Sequence, residues 1–378
     1  MDNLSNLLHK FSSQIDLLKS DKNGSVIGVD IGSSAIKVVQ LKKKAGKAVL
    51  ETYGSIALGP YADTDAGRPT NLPAEKLVEA LKEVLKQSGV ATTSSAFAIP
   101  VRSSLIFVID LPVNVPEKDM TTVVSTEARK YIPVPITEVS IDYVVLPKKE
   151  SSFEEARSTN PHALPPPRTE VLVIALQNDA ISKYNSIVSQ SGLVASFFEI
   201  EIFSSIRSNF THELSLMLLI DFGASYTKLT LVEFGVVKSY HTINRGGMDI
   251  SESISKSLNI PFASAEEMKK EFGLLENFKE KSLEVIIKTH LDYIFSEANN
   301  VLLGHERKYN RTVGKVILSG GGSLLKGLKE MATENFRIEV EMGHAFARVG
   351  TPAFLEKVLD AVGPEFAVSL GLALRKLQ

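Results

Sequence analysis

Two stretches of this chain carry the same chemistry-bearing residues at the same spacing. "DIGSSAIKVVQL" begins at Asp30 and "DFGASYTKLTLV" at Asp221. Laid over each other, Asp30 meets Asp221, Gly32 meets Gly223, Ser34 meets Ser225 and Lys37 meets Lys228. Each acid ends an apolar run and each glycine turn leads into a returning apolar run, the pattern of a β-hairpin. A glycine turn lets backbone N–H groups approach phosphate oxygens, and Ser33, Ser34 and Ser225 add hydroxyl donors. Carboxylates repel phosphate, but they can hold a hydrated Mg²⁺, which keeps several waters and takes one or two carboxylates beside substrate phosphate. Asp30 and Asp221 are therefore expected to anchor a metal through water. One such turn alone is explained by an Asp bonding its own turn; two in register point to phosphate.

A third element is "VILSGGGSLLKGL", residues 316–328. Here a strand ends in Gly320, Gly321, Gly322 and Ser323 before a helical pattern, placing bare backbone beside an expected helix N-terminus, a setting suited to nucleotide contact. It is neither a P-loop, which needs a Gly-Lys-Ser/Thr ending, nor a dinucleotide GxGxxG motif.

The elements that must position these residues alternate between strand and helix, which argues for α/β layers. Helices are expected over "PAEKLVEALKEVLKQSG", "PEKDMTTVVSTEARKYI" and "NDAISKYNSIVSQSG", and "LVASFFEIEIFSSIRSNF" reads as a strand running into a helix. Helices dominate 249–310, and "EFAVSLGLALRKL" reads as a closing helix. Residues 148–169 are charged and then proline-rich, the composition of a long exposed loop. At the N-terminus, Leu4, Leu7, Leu8, Phe11, Ile15 and Leu18 form one apolar stripe at helical spacing. Its mixed polar face lacks the basic bias of a lipid-binding helix. The net charge of −2 argues against an electrostatic grip on nucleic acid, and the absence of cysteine excludes thiolate chemistry and disulfides. No stretch reaches the ~20 apolar residues of a membrane-spanning helix. A cytoplasmic protein is expected.

The two acid-glycine hairpins followed by the glycine turn resemble the first phosphate, second phosphate and adenosine loops of the actin-like ATPase superfamily. The resemblance spans residues 25 to 375. "RGGMDISESISKSLNIPFASAEEMKKEFG", with its Gly-Gly-x-Asp-Ile turn and Ala-Glu-x-x-Lys-x-x-x-Gly pattern, is similar to the FtsA cell-division proteins and their PilM pilus relatives. "EARKYIPVPITEVSIDY" and "EFAVSLGLALR" resemble the PilM family in particular. The resemblance implies an actin-like (ribonuclease H-like) two-domain α/β fold with a duplicated core and a small inserted subdomain. Its division would be a leader at 1–23, a first core at 24–96 and 179–214, and the insert at 97–178. The second core would take 215–248 and 313–378, with a further subdomain at 249–312.

The resemblance also implies ATP or ADP with Mg²⁺, held by Gly32, Ser33, Ser34 and Lys37 from the first loop and by Gly223, Ala224, Ser225 and Thr227 from the second. Gly246, Gly247, Glu267 and Lys270 would reach the adenosine side, with Gly320, Gly321, Gly322 and Ser323 completing the site. Glu201 would be the residue placed for water attack, and the chain has Ile202 where chaperones of the superfamily have proline. The implied partner is the cytoplasmic N-terminal tail of PilN, gripped in a groove between the first core and the insert. Other pilus platform or motor proteins and, indirectly, the inner membrane complete the expected surroundings. FtsA carries a C-terminal membrane helix, whereas this sequence ends at "LALRKLQ", so membrane recruitment through a partner is expected. Binding with at most slow hydrolysis is the expected activity. The alternatives are a small-molecule phosphotransferase on the same fold and an FtsA-like filament-forming protein.

Overall fold

The computed structural model describes residues 24–146, 168–210, 215–274 and 281–377. The N-terminal stripe and most of the 148–169 segment lie outside these residues. The described chain forms two compact units. The smaller comprises 101–182 and the larger 24–100 with 183–377.

The larger unit is built on two five-stranded sheets of identical topology. The first contains β1 (Ser25–Ile31), β2 (Ala35–Lys44), β3 (Lys47–Ala57), β4 (Ser94–Ile99) and β8 (Val194–Ile200), in the order β3-β2-β1-β4-β8. The second contains β9 (Met217–Phe222), β10 (Thr227–Glu233), β11 (Val236–Ile243), β12 (Lys315–Ser319) and β13 (Glu339–Met342), in the order β11-β10-β9-β12-β13. In both, the first three strands form an antiparallel meander and the last two join in parallel. The short repeat in sequence is therefore the visible part of a duplicated lobe.

Burial follows from this layering. Each central strand is apolar on both faces, as in Val26, Ile27 and Val29 of β1 and Leu218, Leu219 and Ile220 of β9, all buried. Helix α1 (Ala74–Gln87) turns Leu77, Val78, Leu81 and Val84 into the first lobe. Pro73 occupies its N-cap with an extended backbone, where a missing N–H costs nothing. In the second lobe, α5 (Gly247–Leu258), α6 (Phe262–Phe272), α7 (Lys281–Tyr309) and α8 (Leu328–Phe336) supply Ile254, Ala265, Leu291, Phe295 and Leu328 to one apolar cluster with Leu218 and Ile220.

Helix α4 (Glu201–Asn209) follows β8 directly, and α10 (Ala367–Leu377) closes the described chain. The resemblance groups 313–378 with the second core. In the structure β12, α8 and β13 lie with the second lobe, and beyond them Phe346, Phe366, Leu370 and Leu374 pack on Val26, Val39 and Leu41 of the first. The reason lies in the composition of α10, whose residues from Ala367 to Leu374 are all buried and need a partner on every side. Gly371 makes its crossing with α4 possible, since a Cβ there would lie 1.9 Å from the Ser204 carbonyl oxygen.

The smaller unit holds β5 (Ser104–Pro112), β6 (Val139–Val145) and β7 (Arg168–Gln177) in the antiparallel order β5-β7-β6. Helix α2 (Glu117–Ala128) adds Val124 and Ala128 to Ile109, Leu111, Val171 and Val173, giving this unit its own core. Helix α3 (Asn178–Ser191) follows β7.

Candidate functional site

In both lobes the acid at the strand end faces a lysine across the ladder. Asp30 pairs with Lys37 between β1 and β2, and Asp221 pairs with Lys228 between β9 and β10. The two turns also close alike. The Gly32 N–H donates to Ala35 O at 3.0 Å, and the Gly223 N–H donates to Tyr226 O at 2.9 Å. The hydroxyls at the tips meet, with Ser225 Oγ donating to Ser33 Oγ at 3.0 Å. Thus the two acid-glycine turns, 191 residues apart by their leading acids (221 − 30), form one site at the junction of the lobes.

The third glycine turn closes on the same place. Gly320 has φ +80°, and a Cβ there would stand 2.2 Å from Asp221 Oδ1 and 2.6 Å from Phe222 O, so glycine is required for both reasons. Its N–H donates to Pro364 O at 2.9 Å. Lys37 lies 3.8 Å from Glu365, on the side of Gly321. No α-helix begins at Ser323, contrary to the pattern's expectation. Residues Gly321–Leu324 make a 3-10 turn, and α8 starts only at Leu328 after Gly327 takes φ +81°. Ser323 is buried and donates its hydroxyl to Gly320 O at 2.7 Å, so it shapes the turn from within.

Glu201 opens α4 and points into the junction. Its Oε2 accepts from Lys228 Nζ at 2.6 Å, and the same ammonium lies 3.1 Å from Asp221 Oδ2. Burial pushes the Asp30 carboxyl up to about 6. Lys37 opposes this rise, while the nearby carboxylates of Glu201 and Asp221 add to it. Burial alone would lower the Lys228 ammonium, but Asp221, Glu201 and Asp30 together hold it above the ordinary lysine range. Tyr184 of α3 is buried and feels the same carboxylates. Its hydroxyl is pushed well above the usual range by burial first and by Asp30 and Glu201 second. Among the described residues, no group of three or more His, Asp or Glu side chains is arranged to hold a metal ion directly. The carboxylates of Asp221 and Glu201 already converge on an ammonium, so the donor set is that of an ion-paired cluster.

The remaining expected residues divide clearly. Gly247 and Met248 at the start of α5 donate their N–H groups to the carbonyls of Gly223 and Ala224, buttressing the second turn. Gly246 donates its own N–H to Asp249 Oδ2 at 2.8 Å. Thr227 is fully buried, and its hydroxyl goes to Arg245 O. Ser34 contributes its carbonyl to Leu58 N–H at 2.8 Å. On α6, Glu267 and Lys270 are exposed. It is Glu266 and Lys269 that turn inward: Glu266 Oε2 accepts from Lys269 Nζ at 2.6 Å and from Ser251 Oγ at 2.5 Å, and Lys269 Nζ also donates to Gly247 O at 2.9 Å. Burial would raise the Glu266 carboxyl, but Lys269 and Ser251 outweigh it and keep it low. The spacing Ala265-Glu266-x-x-Lys269 carried that signal; the exposed pair one position later has the same spacing.

A segment of the first lobe spans the junction. Thr70 N–H and Oγ1 both donate to Ser33 O, at 2.8 and 3.3 Å. Three residues earlier, Gly67 lies against Glu266, and the Arg68 guanidinium sits 3.9 Å above the Phe262 ring centroid. One strap thus touches the first turn at one end and α6 of the second lobe at the other.

Two lobes of this topology, facing acid-glycine turns and crossing helices define an actin-like fold. A profile of the family described as type IV pilus assembly protein PilM matches residues 28–377, and the chain belongs to that family. Among solved structures, the PilM–PilN type IV pilus biogenesis complex superimposes with a TM-score of 0.76 at 24% identity, covering 93% of this chain and 98% of that one. The ethanolamine utilization protein EutJ from Carboxydothermus hydrogenoformans gives 0.54 at 16% identity, over 99% of this chain and 97% of that one. In sequence, the cell division protein FtsA of Staphylococcus epidermidis is 23% identical over 388 residues, 89% of this chain and 80% of that protein. No helix among the described residues is long and apolar enough to cross a membrane.

Proposed function

We propose that this chain is a cytoplasmic, nucleotide-binding component of a type IV pilus assembly platform that takes the N-terminal cytoplasmic tail of a PilN protein as its partner. The observation that carries the nucleotide reading is the pair of acid-glycine turns, matched in register and joined at Ser33 and Ser225. A phosphate chain placed between them would replace that hydroxyl contact and meet Lys37. The partner reading rests on family membership and on the similarity to a PilM held in a complex with PilN. The strap suggests how nucleotide occupancy reaches the second lobe. Displacing Ser33 moves Thr70, and with it the Arg68 contact on Phe262, a route for shifting between lobe arrangements. Membrane recruitment then follows from the partner.

Slow turnover is supported by one feature. A general base must be free to accept a proton from the attacking group, yet Glu201 Oε2 is engaged by Lys228 at 2.6 Å.

Calorimetric titration with ATP and ADP tests the nucleotide reading. Binding is expected for the wild type. Gly320→Ala, which drives a Cβ into Asp221, is expected to lose at least about tenfold in affinity, ~1.4 kcal/mol. An unchanged affinity would place the nucleotide elsewhere. A peptide with a PilN N-terminal sequence is expected to bind the full chain, with an affinity that differs between ATP and no nucleotide. No binding in either state, together with transfer of phosphate to a small hydroxyl compound, would favour the kinase alternative.

A further inference from the structure

Lys228 is bound to Asp221, one of the two acids to which the family resemblance assigns a metal. Its ammonium bridges two carboxylates from different elements, Asp221 at the end of β9 and Glu201 at the start of α4, at 3.1 and 2.6 Å. All three side chains are largely buried, at 16%, 15% and 11% exposure for Lys228, Asp221 and Glu201. This arrangement does not follow from strand pairing alone. Lys37 holds the equivalent register position opposite Asp30, yet its ammonium goes to Glu365 at 3.8 Å. Three carboxylates clustered at one junction need a compensating charge, because buried like charges cannot all ionise without one. Drawing oxygens from two elements onto one cation is the work of a divalent ion in a phosphate site. Here a side chain does it.

We infer that Lys228 is a built-in cation that substitutes for a divalent metal, so that the site takes a nucleoside di- or triphosphate without requiring Mg²⁺. The inference rests on the nucleotide reading above and specifies the form of the ligand. Lys228 bridges Asp221 and Glu201 and offsets one of their two negative charges, while Lys37, beside Gly321, is the ammonium placed to meet the phosphates. An ammonium is a compact point charge suited to this role.

The test uses the intact protein and measures binding, not turnover. ADP and ATP are titrated calorimetrically in Mg²⁺ and in EDTA, for wild type, Lys228→Gln and Lys228→Arg. The wild-type affinity is expected to change by less than about threefold between the two conditions, and Lys228→Gln to lose at least about tenfold in EDTA and recover in Mg²⁺. Lys228→Arg keeps the charge and is expected to stay metal-independent. Wild-type affinity that collapses in EDTA would overturn the inference while leaving the nucleotide reading intact. Failure of wild type to bind nucleotide in either condition would instead sink the reading on which it rests. Mn²⁺ titration followed by electron paramagnetic resonance, without nucleotide, gives an independent measurement. Lys228→Gln is expected to acquire a Mn²⁺ site that wild type lacks, and equal Mn²⁺ binding by both would also overturn the proposal. Circular dichroism of each variant identifies any that fails to fold, in which case Lys228→Arg and the wild-type comparison still decide.

Discussion

Replacing Glu199 with alanine is expected to destabilise the larger unit by about 3–5 kcal/mol, the scale measured when one partner of a buried ion pair is removed. Glu199 on β8 has a fully buried side chain. Arg207 of α4 grips it with a two-pronged contact, at 2.7 and 2.8 Å, and Arg375 of α10 adds a third bond at 3.1 Å. Ser204 donates its hydroxyl to the same carboxylate. Arg207 also donates to Gly371 O at 3.1 Å, and Arg375 stacks 4.2 Å above the Phe197 ring. Alanine would leave two guanidinium groups, 11% and 12% exposed, without their anion. The network binds together β8, α4 and α10, so the junction loosens where α4 delivers Glu201. Urea unfolding monitored by circular dichroism measures the loss, and a change below about 1 kcal/mol would contradict a central role for the network.

The same residue sets an acid limit. Burial would raise the Glu199 carboxyl, but Arg207, Arg375 and Ser204 outweigh it and hold the group below its usual 4.5. A carboxylate depressed by folding contributes stability that is present above its unfolded value and lost as pH falls through the folded one. Wild type is therefore expected to lose stability below pH 4.5 more steeply than Glu199→Gln does.

How much of this was legible in the sequence depended on whether a residue's role is local. The acid-glycine turns could be read because a hairpin tip is fixed by its own residues, and the duplicated apolar flanks announced a duplicated lobe. Lys228 was in view as the partner of Lys37 in the repeat. What the repeat could not give was their divergence, because Glu201 and Glu365, which draw the two lysines apart, come from distant segments. Choosing between the Glu266–Lys269 and Glu267–Lys270 pairs needed the rotation of α6, and one residue of rotation exchanges the buried face for the solvent face. The helix expected at Ser323 failed for a similar reason. A 3-10 turn and Gly327 at φ +81° intervene, and Leu274, whose Cβ stands 2.8 Å from where a Gly327 Cβ would be, keeps that position glycine. The return of α10 to the first lobe was hidden as well. An all-round apolar helix says that it will be buried, not under which sheet.

Asp30→Asn is expected to stabilise the protein at neutral pH, and the pH dependence of the gain identifies its cause. The ordinary value of 3.8 for Asp30 is raised to about 6 in the fold, chiefly by burial, with Lys37 compensating only in part. For a carboxylate raised by folding, ionisation is harder in the folded chain than in the unfolded one. The penalty is absent below pH 3.8, grows between 3.8 and about 6 and is fully present above that. About two units at 1.36 kcal/mol each set an upper limit of about 3 kcal/mol, less whatever water at the junction relieves. Asparagine keeps the shape and removes the charge. Thermal unfolding of Asp30→Asn and wild type at pH 7.5 and pH 4 measures the difference, which is expected to favour the variant at 7.5 and to shrink toward zero at 4. A gain equal at both pH values would trace to packing and would contradict the assignment of Asp30 as a carboxylate held against its own preference. Such a charge is tolerated in a fold when a function uses it, and here the acid stands beside the turn that meets Ser225.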